Sequence, residues 1–454
     1  MATRKPPKAL LISVALTLLV AVAIVLISRS SETEPAAAPP ATAAPTDGSS
    51  GDDPSIAPAP DNRPTLTFSS LDGPVTPAEI ASFTSYIETL TPSPDNDGNA
   101  WAQGHSGEDV KAMGLVYEVS GNRAVLDRMI DFCDTVLSER DDLAPAPVGQ
   151  HVLWTGRIDP AWPAKTNAKP IITGGEQGDP VGHLADCARL ILQTPAIWKL
   201  PVTIGDPHGY GATYLDRAKK FVAEADTAVD GHILARLLDL SHGNRQYFAA
   251  DSPYKGGQPV PWNQQMMFDY GFQNLAIDHQ ILGDDPTRVS KYDNLVQTSI
   301  DWFFADTKPY TDKAGNTAYD WYYAPSAGAK PTGDKEDNNH GSLDCAGLYR
   351  AYLSGRYHIT PAMLAPIANT FVDVMATGHD HYAGRIDGST GVGNGSATHY
   401  ARSGWLLMTE FRPNAYQQLV TANFPRKTTT ADDQFSRVLM LRSRRDKQQV
   451  SPTP

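Results

Sequence analysis

With 454 residues the chain is too long for one small core, and its formal charge of −13 argues against a nucleic-acid partner, which needs a basic face. The same acidity means that a polyanionic substrate requires a locally basic groove inside an acidic shell. Three cysteines, Cys133, Cys187 and Cys345, lie among apolar residues with no zinc spacing and read as small buried side chains; one disulfide outside the cell is the other option.

Residues 1–8 carry Arg4, Lys5 and Lys8, and residues 9–27 are apolar apart from Ser13 and Thr17. At 1.5 Å per residue that stretch just spans a hydrocarbon core of about 30 Å. The basic flank predicts an N-terminus inside and the bulk of the chain outside the cell membrane. A cleaved signal peptide is the alternative, but the following ISRSSETEP is a poor cleavage site. Residues 1–29 therefore read as a signal anchor. Residues 30–63, rich in Pro, Ala, Ser and Thr, read as a disordered tether. Residues 64–425 follow as the main domain, and 426–454 as a basic, partly disordered C-terminal segment.

Within the main domain, helical periodicity covers 77–90, 107–120, 123–140, 180–193, 212–226, 230–240, 263–282, 286–304, 341–354, 361–377 and 397–411. In 123–140 the stripe is Leu126, Met129, Ile130, Cys133 and Leu137. Strand-like alternation is scarce, its best case being 319–323. Many paired helices in one large domain predict an all-α fold, an (α/α)n toroid of helical hairpins with long functional loops. Two long loops, 141–179 and 305–336, are expected to carry function. The second holds Tyr310, Tyr319, Trp321, Tyr322 and Tyr323, which can stack on sugars or pack the loop.

Four helix starts carry polar groups. Asn338, Asn339 and His340 open the helix ending near 354. A helix N-terminus favours anions, so Asn339 and His340 there can hold a carboxylate and take a proton from the neighbouring carbon; an Asn cap with a packed His is the plain alternative. His399, Tyr400 and Arg402 stand at the start of 397–411, where a Tyr beside an Arg and a His can shuttle protons. Glu176 and His183 flank a third start, with Asp179 and Pro180 reading as N-cap and first helical residue. Trp262, Asn263 and Gln264 open the fourth and suit sugar hydroxyls.

The NNHG stretch opening a helix, with His399-Tyr400 downstream, resembles the alginate lyase superfamily: α/α-toroid polysaccharide lyases acting on uronic-acid polymers such as alginate and glucuronan. Tyr400 lies 60 residues after His340, which fits. The resemblance implies Asn339 as carboxylate neutraliser, His340 as base or neutraliser and Tyr400 as proton donor or shuttle. The family's Arg shortly before that Tyr falls here on Gly393 and Asn394, so Arg385 or Arg402 would replace it. His399, Glu176, His183, Trp262, Asn263 and Gln264 complete the expected substrate-binding set.

The expected chemistry is β-elimination of an anionic polysaccharide, with no metal and no cofactor; the oligomeric state is left open. A toroidal glycoside hydrolase is the first rival and would need two facing carboxylates. Its candidates are Asp159, Glu176, Asp179, Asp269 and Asp344. A non-catalytic surface carbohydrate-binding protein is the second rival.

Overall fold

The computed structural model describes residues 64–92, 98–102, 105–327, 330–423 and 431–450. The apolar stretch 9–27 and the tether 30–63 lie outside these residues. Among the described residues no helix is long and apolar enough to cross a membrane.

Helices dominate. The first, α1 (Pro77–Ile87), starts in a capping box: Thr76 accepts from the Glu79 N–H while Glu79 reaches back to the Thr76 N–H. α2 (Gly98–Ala102) and α3 (His105–Ser120) follow, then α4 (Arg123–Ser138), capped by Asn122. The predicted stripe of α4 is fully buried, Cys133 included. All three cysteines are buried and unpaired. Next come α5 (Gly178–Leu192), α6 (Tyr214–Ala228), α7 (Trp262–Leu282), α8 (Pro286–Asp306), α9 (Asn338–Ser354) and α10 (Pro361–Asn369). α11 (Ser403–Leu407), α12 (Pro413–Asn423) and α13 (Ala431–Val450) end the described chain. α6 and α10 each run on into a wider π-helical stretch, Val229–Leu237 and Thr370–Met375.

Among the described residues four antiparallel hairpins interrupt the helices: β1 (Leu238–Asp239) with β2 (Tyr247–Phe248), β3 (Lys308–Thr311) with β4 (Thr317–Asp320), β5 (Tyr322–Ala327) with β6 (Lys330–Lys335), and β7 (Ala376–Gly378) with β8 (His381–Tyr382). The stretch 305–336, expected to be loop, is thus largely two hairpins. The expected helix 397–411 begins only at Ser403, because Thr398 is held extended by paired backbone hydrogen bonds with Tyr382.

Packing orders the helices into two sets. α3 packs on α5, α5 on α7, α7 on α9, α9 on α11, α11 on α13, and α13 returns to α3. α4, α6, α8 and α12 lie against members of that circuit. The sequence carries the same distinction. α4 has one apolar stripe, whereas α7 is buried continuously from Trp262 to Ala276 although it holds Asn263, Gln264, Gln265, Asp269, Gln273 and Asn274. A helix buried all round with so many polar groups must face polar partners or an internal space.

The circuit closes through α13. Phe435 stacks on Phe68 and Phe83, with ring centroids 4.4 and 6.1 Å apart. Arg442, 1% exposed, pairs with the equally buried Glu79 of α1 at 2.5 Å. The segment expected to be a partly disordered tail is therefore, over 431–450, a packed helix.

Candidate active site at the start of α9

Asp337 caps α9, its Oδ1 accepting the His340 N–H at 2.8 Å. Its Oδ2 lies 2.7 Å from the His340 ring Nδ1. An ionised carboxylate only accepts, so Nδ1 carries a proton and Nε2 is the ring nitrogen not engaged by Asp337. Burial pushes the Asp337 carboxyl up, but hydrogen bonds from the His340 ring and from the His340 and Asn339 backbone outweigh it and hold it below the usual range.

The start of α9 is fastened on several sides. The Asn338 N–H donates to Gly384 O at 2.8 Å, its Nδ2 to Ala383 O at 3.1 Å, and Trp405 Nε1 to Asn338 O at 2.9 Å. Gly341 permits this approach: a Cβ there would stand 2.7 Å from the Trp405 ring. Beneath lie Glu336 and Asp344, both fully buried. Burial and then each other's charge push Glu336 up, and burial raises Asp344 as well. Trp321 Nε1 donates to Asp344 Oδ2 at 3.0 Å.

Above His340 lies Tyr323 of β5, ring centroids 4.7 Å apart. Lys255 Nζ donates to Tyr323 Oη at 3.1 Å and sits 4.8 Å from the Tyr323 centroid and 5.3 Å from that of Tyr254. Lys255 has φ +50°, a left-handed conformation that a non-glycine residue keeps only when its surroundings hold it there. Tyr254 Oη accepts from Gln264 Nε2 at 2.7 Å. Gln264 packs on Gly175, where a Cβ would approach within 2.4 Å of its side chain. The neighbouring Gly174 N–H donates to Glu176 Oε1 at 2.6 Å. A continuous wall thus runs from Glu176 through Gln264, Tyr254, Lys255 and Tyr323 to His340, joining the starts of α5, α7 and α9.

The excursion 141–179 supports one end of that wall. Gln177 exchanges two hydrogen bonds with the Trp162 backbone, at 2.8 and 2.7 Å. His232, fully buried, bridges Asp159 (3.1 Å) and Thr173 (2.8 Å), which holds the segment entering Gly174.

The remaining sequence candidates divide. Tyr400 is linked to α9 through its backbone: Asn338 Nδ2 donates to Thr398 Oγ1 (3.2 Å), which donates to Tyr400 O (2.7 Å). The Arg402 guanidinium lies 5.8 Å from the Tyr400 ring centroid. Arg385 pairs by backbone with Asp337 and donates Nη1 to Lys335 O at 2.8 Å. His399 faces His381 across 5.8 Å on the exposed side. His183 and Trp262, by contrast, are fully buried, His183 with Nε2 2.6 Å from Trp101 O and Trp262 among Trp302 and Phe303. Burial drives the His183 pKa well down, so it is a neutral core residue. Asn263 is 1% exposed. Asp179 is not the cap of α5, which starts at Gly178; it is buried and pairs with Lys111 at 2.9 Å.

The hydrolase carboxylates fare similarly. Asp159, Asp179, Asp269 and Asp344 are each at most 5% exposed and already bonded, to His232, Lys111, Ser299 with Gln246, and Trp321 respectively. Glu336, Asp337 and His340 offer donor atoms within 4.8 Å of one another, a spacing that suits a cation. Asp337, however, already spends both oxygens on His340, and Glu336 Oε1 accepts the Asp337 N–H at 2.9 Å.

No family model matches the chain, and no curated protein matches it.

The residues missed from sequence are Tyr254, Lys255, Glu336 and Asp337. The acidic DKED run directly before NNH was the available signal for the last two. The pair Tyr254-Lys255 carried no motif.

Proposed function

We propose that the protein is a polysaccharide lyase that cleaves a uronic-acid polymer by β-elimination, built on an α/α toroid whose inner ring is the circuit of α3, α5, α7, α9, α11 and α13. The observation that carries this reading is the Asp337–His340 pair: a histidine fixed as a base beside a phenol and an ammonium is what the elimination requires. Lys255, with Asn339 and Arg385 or Arg402, neutralises the C6 carboxylate and stabilises the charge that develops on it, each such donor contributing about 3 kcal/mol. His340 Nε2 takes the C5 proton. A phenol protonates the departing O4; Tyr323 stands against His340, and Tyr400 is the residue the resemblance names. The C4–O4 bond breaks as the C4–C5 double bond forms. His340 keeps 5% of its surface exposed, with the Tyr323 ring 4.7 Å from its own, so this reading requires the Tyr323 side chain to move aside for the polymer.

The test is a screen of alginate, glucuronan and related polymers, read by ultraviolet absorbance of the new double bond. A hydrolase releases products without it. Absorbance that appears with the native protein and is lost in His340→Ala supports the reading. Tyr323→Phe and Tyr400→Phe identify the acid, whose loss lowers turnover by about 100-fold or more. Reducing ends released without absorbance would overturn the lyase assignment.

A further inference from the structure

A cavity of about 610 Å³ opens among the C-terminal halves of α3, α5, α7 and α9, bounded also by α11 and α13. Arg350 lies ten residues beyond His340 on α9, about 15 Å along the helix at 1.5 Å per residue. This space is therefore distinct from the His340 site.

Arg189, Arg350, Arg437 and Arg444 line it. Three are matched by acids: Arg189 on Asp186 at 2.6 Å, Arg437 on Asp433 at 2.7 Å and Arg444 on Glu410 at 2.7 Å. Arg189 also stands in the last turn of α5, where a cation balances the partial negative charge of the helix C-terminus. Arg350 is different. Its guanidinium lies 3.9 Å from the Tyr270 ring centroid and makes no hydrogen bond or ion pair with any described residue. Tyr270 is held in turn, donating to Asp186 Oδ2 at 3.0 Å. One turn further along α7, Gln273 is 3% exposed, lines the same cavity and makes no hydrogen bond with any described residue. Arg350 is half-buried and Gln273 buried, and both leave their polar atoms open on one cavity wall, where a ligand can reach them. Leu115, Ile277 and Leu407 supply apolar wall beside them.

The geometry points to a binding site for a small organic carboxylate. Its carboxylate docks on the Arg350 fork, which matches two oxygens. A hydroxyl or carbonyl of the same molecule meets Gln273, and its carbon skeleton lies on Leu115, Ile277 and Leu407. The volume is that of a small-molecule pocket.

The test is calorimetric titration of the full chain with D-glucuronate and with citrate, using D-glucose as the uncharged control and inorganic phosphate as the competing anion. At least one carboxylate should bind saturably and glucose should not. Arg350→Gln should weaken that binding about tenfold or more, Gln273→Leu should weaken it severalfold, and His340→Ala should leave it unchanged. The last arm separates this site from the proposed catalytic one, whatever the fate of the lyase reading. Should Arg350→Gln fail to fold by circular dichroism, Gln273→Leu decides. No saturable carboxylate binding, binding of phosphate alone, or binding indifferent to Gln273→Leu and to a folded Arg350→Gln would each overturn the proposal.

Discussion

Asp337→Asn separates the two tasks of Asp337. The carboxylate caps α9 through Oδ1 and fixes the His340 ring through Oδ2, at 2.8 and 2.7 Å. Asparagine caps about as well as aspartate, within a few tenths of a kcal/mol, so the helix start survives. Its amide Nδ2, however, can only donate towards His340 Nδ1. The ring proton must then move to Nε2, and the base is lost. A charge-assisted hydrogen bond of about 1.5–3 kcal/mol is replaced by a neutral one of about 1 kcal/mol, so stability should fall by only about 1–2 kcal/mol. Turnover should fall by about 100- to 10,000-fold. Asp337→Ala loses the cap as well and leaves the ring nitrogen unpaired, a deficit of about 2–4 kcal/mol. Because the native Asp337 carboxyl is held below its ordinary value of 3.8, its contribution is present above that pH and is lost as pH falls through the lowered value, so the Ala deficit should shrink in acid. Ultraviolet turnover assays and urea unfolding on the same preparations measure both quantities. An Asn variant that is stable and turns over at the native rate would refute the base assignment.

The other predictions concern the support of the site and the closure of the fold. Glu336 has its carboxyl raised by burial, so the folded state prefers it protonated and loses that preference as pH rises from 4.5 upward; Glu336→Gln should therefore gain melting temperature relative to the native protein at about pH 8 compared with about pH 5. An equal difference at both pH values would show that the carboxyl is not perturbed. Gly341→Ala places a methyl 2.7 Å from the buried Trp405 ring and should cost about 1–3 kcal/mol by urea unfolding, with a loss of turnover as α9 shifts. Arg442→Ala leaves Glu79 as a buried lone charge and should cost about 3–5 kcal/mol; a change below about 1 kcal/mol would mean that the pair is hydrated.

Much of the helix framework was legible because it rests on local periodicity. The predicted 286–304 and 263–282 lie within a residue or two of α8 and α7. What escaped depended on distant partners. Asp179 looks like a cap until Lys111, 68 positions earlier, claims it in the buried interior. His183 looks like a cleft residue until Trp101 O is seen against its Nε2. The β3–β4 and β5–β6 hairpins are short and rich in Lys, Pro and Thr, so of their period-two pattern only 319–323, at the end of β4 and the start of β5, showed in the sequence. Of the site, the start of α9 and Gln264 were visible, because polar runs before buried helices stand out. Lys255 was not, since its place is set by two phenol rings, one of them 68 positions away.

The return of α13 onto α3 and α1 also has a meaning in time. Roughly 300 residues separate α3 from α13, so at about 5–20 residues per second the ribosome needs some 15–60 s after finishing α3 before its last neighbour emerges. During that interval Phe68 and Phe83 have no Phe435 to stack on, and Glu79 has no Arg442. The growing chain then leaves these aromatic side chains of the N-terminal segment and α1 uncovered. Its exposure to aggregation and its need for chaperones should be set by the delay before α13 docks rather than by the stability of the finished fold.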